Sequence, residues 1–175
     1  MSSDTVAVWN VVKYSLAWQP RAIVISQQPQ TRRLRKILIC GLPGAGKTTL
    51  SRLLAPRMGA VLFNADEIRS NINKDLGFTH PDRIEHARRM GWLCDRVADA
   101  GSVAIADFVC PTPQTRAAFG EAFIVWVDRI RQGRFDDTNK LFVAPTLCDI
   151  RVGQDGDPEF WVEKILTKWS NKSTC

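Results

Sequence analysis

The chain is poor in the residues that build metal cages and disulfide frameworks. Two histidines and five cysteines are spread over 175 residues, with no C-x-x-C pair and no ligand-like spacing. An odd cysteine count without such spacing argues for a reducing, cytoplasmic setting. Long apolar runs are absent too, none approaching the roughly 20 residues of a membrane span. The first residues are not expected to be a secretory signal, because Asp4 falls where positive charge belongs and Asn10 and Lys13 break the apolar stretch. There are no internal repeats, low-complexity tracts or guanine-reading N-K-x-D segment, since Asn139-Lys140-Leu141-Phe142 lacks the aspartate. What remains is a single domain, long enough to bury roughly two-thirds of its unfolded surface.

The net charge of +6 resembles a nucleic-acid signature until it is divided along the chain. Residues 1–36 hold Lys13, Arg21, Arg32, Arg33, Arg35 and Lys36 against Asp4, so the rest is almost neutral. A basic N-terminal extension, residues 1–35, thus precedes a balanced body, residues 36–175. The extension suits either a solvated linker or contact with polymer phosphates. Its apolar residues Val8, Trp9, Val11, Val12 and Leu16 fit one side of a short helix, and Ala22 to Ile25 a strand.

One motif dominates the body. Gly41-Leu42-Pro43-Gly44-Ala45-Gly46-Lys47-Thr48 follows the apolar run Ile37-Leu38-Ile39-Cys40 and precedes Thr49-Leu50-Ser51-Arg52-Leu53-Leu54. A buried strand, a glycine-rich turn and a helix start form a phosphate-binding loop. Glycines let backbone N–H groups crowd a polyphosphate, and the helix directs its positive end at the same anion. Lys47 reaches the outer phosphates, and the Thr48 hydroxyl is suited to Mg²⁺. The motif predicts a nucleoside triphosphate–Mg²⁺ site, with Gly41 through Thr49 as its binding residues.

The pattern from Lys36 onward alternates strand and helix. Strands are expected at Ile37–Cys40, Val61–Phe63, Val103–Ala106, Phe123–Val127 and near Cys148–Val152. Helices are expected from Lys47 to Arg57, from about Asp66, from Pro81 to Ala100, from Thr112-Pro113 to Phe119, and from Asp157-Pro158 onward. A polar, charged stretch separates the last two strands. This is an α/β P-loop NTPase three-layer sandwich of nucleotide-kinase type, with a mostly parallel five-stranded sheet. Ligands in such sheets sit at the carboxyl ends of the strands, where Asp66, Asp107 and Asp128 fall beside the loop.

Asp66 is placed to take the proton of an attacking hydroxyl or to hold Mg²⁺; the plainer alternative is a helix N-cap. Asp107 ends an apolar strand in the manner of a Walker B carboxylate and is a second metal candidate alongside Thr48. Arg83, Arg88 and Arg89 lie in the helix beginning at Pro81, Arg83 nearest its start and suited to clamping an anion. Arg129, Arg131 and Arg134 follow the fourth strand, where lid arginines neutralise charge on a migrating phosphoryl group. His80 and His86 form no ligand pair.

The ordered segments Asn64-Ala65-Asp66-Glu67-Ile68-Arg69, Asn73-Lys74-Asp75-Leu76-Gly77-Phe78 and Asp82-Arg83-Ile84-Glu85-His86-Ala87-Arg88-Arg89 resemble the D-G-D-N-[IV]-R, N-x-D-L-G-F and D-R-x-E-N-[IV]-R-R motifs of adenylylsulfate kinases. Val109-Cys110-Pro111 matches the family's I-S-P, and Arg116 the arginine beyond it. Phe135 through Ala144-Pro145 matches the spacing of its lid segment. The resemblance spans about Lys36 to Val152. It implies an ATP-dependent kinase acting on the 3′-hydroxyl of adenosine 5′-phosphosulfate (APS), with Asp66 as the base; Lys47 of the loop and Asp107 at its strand end complete the expected catalytic set. It also implies that Arg69, Phe78, Arg83 and Phe135 contact the substrate, the two phenylalanines stacking on a base, and His86 and Cys110 stand at matched positions on the expected substrate side. The departures are His86 for asparagine, Cys110 for serine, Asp107 for a small hydroxyl residue, and a shorter lid without a lysine-rich stretch.

Three readings follow. The first is a kinase for a small nucleotide, APS being the nearest. The second is a kinase for a hydroxymethylated base in DNA, such as 5-hydroxymethyluracil, motivated by the altered residues and the basic extension. The third is a non-catalytic nucleotide-dependent switch. A homodimer is left open, and no membrane partner is expected.

Overall fold

The computed structural model describes residues 32–173. The helix and strand expected within residues 8–25 lie outside the described residues. Five strands form one sheet: β1 (Lys36–Cys40), β2 (Val61–Asn64), β3 (Ala104–Asp107), β4 (Phe123–Val127) and β5 (Ile150–Val152). Their order is β2-β3-β1-β4-β5, and every pairing is parallel. The helices are α1 (Lys47–Met58), α2 (Ala65–Asn71), α3 (His80–Asp99), α4 (Pro113–Phe119), α5 (Asp136–Leu141) and α6 (Pro158–Ser173).

Strand β1 is buried along its whole length, as expected of a central strand with helices on both faces. Its side chains divide with period two. Ile37 and Ile39 join a core with Leu50 and Leu54 of α1 and Val162 and Ile165 of α6. Leu38 and Cys40 join the opposite core with Ala87, Met90 and Cys94 of α3 and Phe119 of α4. The aromatics expected to face inward on α6, Trp161 and Trp169, pack against the first core.

Local chemistry sets the helix ends. Gly59 closes α1 in the left-handed conformation, its N–H bonded to Ala55 and Pro56 carbonyls. Thr79 opens α3 with a capping box to Asp82, and Thr112 opens α4 with Pro113 in the first turn. The polar stretch after β4 contains α5, a helix absent from the sequence reading.

The turn Arg32–Arg35 packs with the body. Leu34 is buried in the first core, and its carbonyl accepts from Trp169 Nε1 at 2.7 Å. Arg33 bonds both oxygens of buried Asp149 at 2.8 Å, which Lys172 and the Ile124 N–H also meet. Lys36 is buried, its Nζ 2.9 Å from Asp95 Oδ1 and 2.6 Å from the Phe119 carbonyl. Two charges of the basic run are therefore committed within the domain.

Candidate active site

The loop 41–46 leaves the carboxyl end of the central strand. A Cβ on Gly41 would stand 2.3 Å from the Val127 carbonyl oxygen, so only glycine lets the chain pass β4 here. Gly46 caps α1 in the left-handed region at φ 96 and offers no side-chain cap. The first N–H groups of α1 are thus left for a ligand. Lys47 is buried, and its Nζ folds back to donate to the Leu42 carbonyl at 3.0 Å. Burial pushes its pKa down, opposed by the nearby Asp107 and Asp66 carboxylates.

The ends of β2 and β3 meet this loop through Asn64. Its side-chain oxygen caps α2, accepting from the Asp66 and Glu67 N–H groups at 3.1 and 3.2 Å. Its amide nitrogen donates to Asp107 Oδ2 at 3.0 Å and lies 3.5 Å from Thr48 Oγ1. Ser51 Oγ adds a bond to the same Asp107 oxygen at 3.2 Å. The cap of α2 is thus Asn64 rather than Asp66. Asp66, second in that helix and exposed, makes no side-chain hydrogen bond among the described residues.

Asp107 is buried and forms no ion pair among the described residues. The Thr48 hydroxyl and the Asp107 carboxylate are hard oxygen donors held together by one amide. Mg²⁺ binds well at such a site when phosphates and waters fill its remaining positions. The described residues contain no group of three or more His, Cys, Asp or Glu able to hold a metal.

Lys47, Thr48, Asn64, Asp66 and Asp107 line one cavity of about 780 Å³ together with Phe78, Arg83, Phe108, Phe135 and Asp137. A second cavity, about 720 Å³ along α6, carries none of these groups. Phe78 and Phe135 are 65% and 59% exposed, an unusual state for two rings at one cavity mouth. Arg83 Nε donates to the Phe78 carbonyl at 2.9 Å, and its Nη2 to Asp137 Oδ2 at 3.1 Å. Arg134 also lines the cavity. A Cβ on Gly44 would stand 3.5 Å from its Nε, and one on Gly46 would stand 3.9 Å from Arg129 Nη1. The lid meets the loop at Gly133, where a Cβ would stand 2.9 Å from Pro43 Cδ, and Asn139 braces that turn by bonding both the N–H and the carbonyl of Gly133.

Other expected site residues lie elsewhere. Arg69 does not line the cavity; it stacks 4.6 Å over the Phe78 ring and donates to the Leu76 carbonyl at 3.1 Å. His86 and Cys110, expected at the substrate, are instead buried behind the cavity wall. His86 sits edge-on to Phe108, and burial with the charges of Arg69 and Arg89 pushes its pKa down to about 4. Cys110 holds φ 45, its carbonyl accepting from Arg116 at 3.0 Å. Burial pushes its thiol well above the ordinary range. Asp128 pairs with Arg151 and stays outside the cavity. Arg88 and Arg89 bond Glu85 on their own helix, Arg89 reaching Asp75 as well. The sequence reading missed Asn64, Phe108, Asp137 and Thr138 as lining residues. An asparagine directly before a helix start is a cap signal that could have found the first.

Residues 34–128 match a family described as adenylylsulphate kinase. The adenylyl-sulfate kinase of Clostridium kluyveri is 32% identical over 157 residues, covering 86% of this chain and 72% of that protein. The bifunctional enzyme NodQ of a Rhizobium species is 35% identical over 99 residues, half of this chain and 15% of that protein. The structure of Mycobacterium tuberculosis APS kinase CysC, with AMPPNP and APS, aligns at TM-score 0.69 and 19% identity over 77% of this chain and 96% of that one. Shikimate kinase from Aquifex aeolicus aligns at 0.55 and 15% identity, over 79% of this chain and 98% of that one. A phosphate-binding loop, a strand-end aspartate and an arginine-bearing lid around one cavity, with these likenesses, lead to one conclusion: the chain belongs to the adenylylsulphate kinase family of P-loop phosphotransferases.

Proposed function

We propose that this kinase transfers the γ-phosphoryl group of ATP to the 3′-hydroxyl of APS, giving 3′-phospho-APS. The observation that carries the reading is a single cavity lined by two unlike sets of groups. Lys47, Thr48 and the start of α1 suit a polyphosphate, while two exposed rings and a guanidinium suit a second, flat and anionic molecule.

The donor's phosphates are bound by backbone N–H groups of the loop and by Lys47, swung from Leu42. Thr48 and Asp107 would hold Mg²⁺, which would supply positive charge against the donor's outer phosphates. Asp66, which lines the same cavity, accepts the proton of the attacking hydroxyl. A positioned base of this kind contributes about 10²–10⁴-fold in rate. Arg83 meets the acceptor's phosphosulfate, and Phe78 and Phe135 flank its base. Arg134 and Arg129, beside Gly44 and Gly46, face the migrating phosphoryl group.

The DNA-directed reading loses part of its motivation, because Arg33 and Lys36 of the basic run are bonded inside the domain. Purified protein given γ-labelled ATP and APS is expected to place label on APS. No labelled APS, together with label on another hydroxyl compound, overturns the choice of acceptor.

A further inference from the structure

The loop between α2 and α3 carries Phe78 and is open to solvent, apart from half-buried Leu76 and one deeply buried residue. Asn73 is 1% exposed, whereas Ile72, Lys74, Asp75 and Gly77 around it are exposed. Its N–H donates to the Ile68 carbonyl at 2.9 Å, and its carbonyl accepts from the Leu76 N–H at 3.1 Å. Its side chain is equally committed. Oδ1 accepts from Arg89 Nη1 at 3.3 Å, and Nδ2 lies 2.8 Å from His86 Nδ1.

These partners determine the protonation state of the histidine. A guanidinium only donates, so the Asn73 oxygen must face Arg89 and the amide NH₂ must face His86. His86 Nδ1 is therefore an acceptor, and the ring is the neutral Nε2–H tautomer. That Nε2 is buried without a hydrogen-bond partner among the described residues. Among the described residues, the one polar bond the ring makes is that to Asn73.

We infer that His86 is a positioning residue: acting through Asn73, it holds the loop that presents Phe78 to the acceptor. The inference rests on the proposal above that Phe78 faces the acceptor. A protonated His86 is incompatible with this arrangement, since Nδ1–H would face the amide NH₂. Turning the amide over would set NH₂ against Arg89. The charged groups around the ring act in the same direction. Arg69 from α2 and Arg89 from α3 both oppose a second positive charge, while Asp75 and Glu85 are bonded to Arg89 rather than to the ring. Phe108, at the end of β3, packs on the ring edge without a charge. Acidification therefore releases the loop.

Two variants test this. His86→Leu keeps bulk but removes the acceptor, and His86→Asn places Oδ1 where Nδ1 stood. His86→Leu is expected to raise the KM for APS about tenfold, with kcat and the KM for ATP unchanged. It also speeds amide hydrogen exchange at Asn73 and Leu76. His86→Asn is expected to restore both readouts. It also flattens the rise in KM for APS expected of the wild type as pH falls from about 5 toward 4, where the folded ring takes up its proton. Wild-type exchange in His86→Leu, or a pH-dependent KM persisting in His86→Asn, overturns the positioning role. Phe78→Ala with an unchanged KM for APS overturns the acceptor assignment instead, and the exchange measurement, which needs no acceptor, still decides the inference.

Discussion

Arg83, on the helix that follows the loop carrying Phe78, donates to Asp137 on helix α5 at 3.1 Å. The arginine side chain is 11% exposed and the aspartate 66%. The lid thus supplies its own carboxylate to the guanidinium proposed to receive an anionic acceptor. An incoming phosphosulfate competes with that carboxylate, and the outcome depends on charge. Asp137→Asn is expected to lower the KM for APS several-fold while leaving the KM for ATP unchanged; Arg83→Ala is expected to raise the KM for APS at least tenfold. Steady-state kinetics with each substrate varied checks both. An Asp137→Asn enzyme with a higher KM for APS shows instead that the pair orders the lid around bound substrate.

Asp66 lines the same cavity on the first turn of α2, its backbone N–H held by the Asn64 cap. Asp66→Asn keeps the shape and removes the base. The expected result is a fall in kcat of about 10²-fold or more with ATP affinity retained. Near-full turnover in that variant refutes the assignment and makes Asp107 the next carboxylate to test.

Lys47 is bonded to its own loop through Leu42. That bond must be exchanged for a phosphate when the donor arrives. Lys47→Ala is expected to weaken ATP binding and to lower kcat together, and its effect on Tm should be small, because only one bond to a carbonyl is lost. Nucleotide titration followed by calorimetry separates the two effects; unchanged ATP affinity contradicts the role.

His86 also links stability to pH. Its folded-state pKa, lowered to about 4 by burial and then by Arg69 and Arg89, lies below the ordinary value near 6.5. The unfolded chain therefore takes up a proton that the folded chain refuses. Stability is unaffected above about pH 6.5 and falls progressively from there toward pH 4, by up to about 3 kcal/mol. Denaturant unfolding of wild type and His86→Asn at several pH values should show this slope in the first and its loss in the second.

Much of this site was legible because its signals are local. The glycine spacing in 41–46, the apolar run of β1, and the caps at Thr79 and Thr112 each act within a few residues of where they are read. The lid helix α5 was not legible: Asp136-Asp137-Thr138-Asn139-Lys140-Leu141 has no apolar stripe, no side-chain cap, and only Thr138 buried. Burial of His86 and Cys110 was hidden for a different reason. Both match positions in motifs associated with substrate, yet the packing of α3 and α4 against the sheet buries them, Cys110 within the second core and His86 edge-on to Phe108 of that core. The bond between Asn73 and His86 joins residues thirteen apart, and nothing in either motif announces the pairing. The Asn64 clasp on Asp107 spans three elements in the same way.

The account's central claim is phosphoryl transfer between two molecules held in one cavity. Mass and ³¹P analysis of the products formed from ATP and APS addresses it in a single measurement. The account predicts ADP together with APS carrying one additional phosphate, on the ribose 3′-oxygen. ADP and inorganic phosphate with APS unaltered would contradict it.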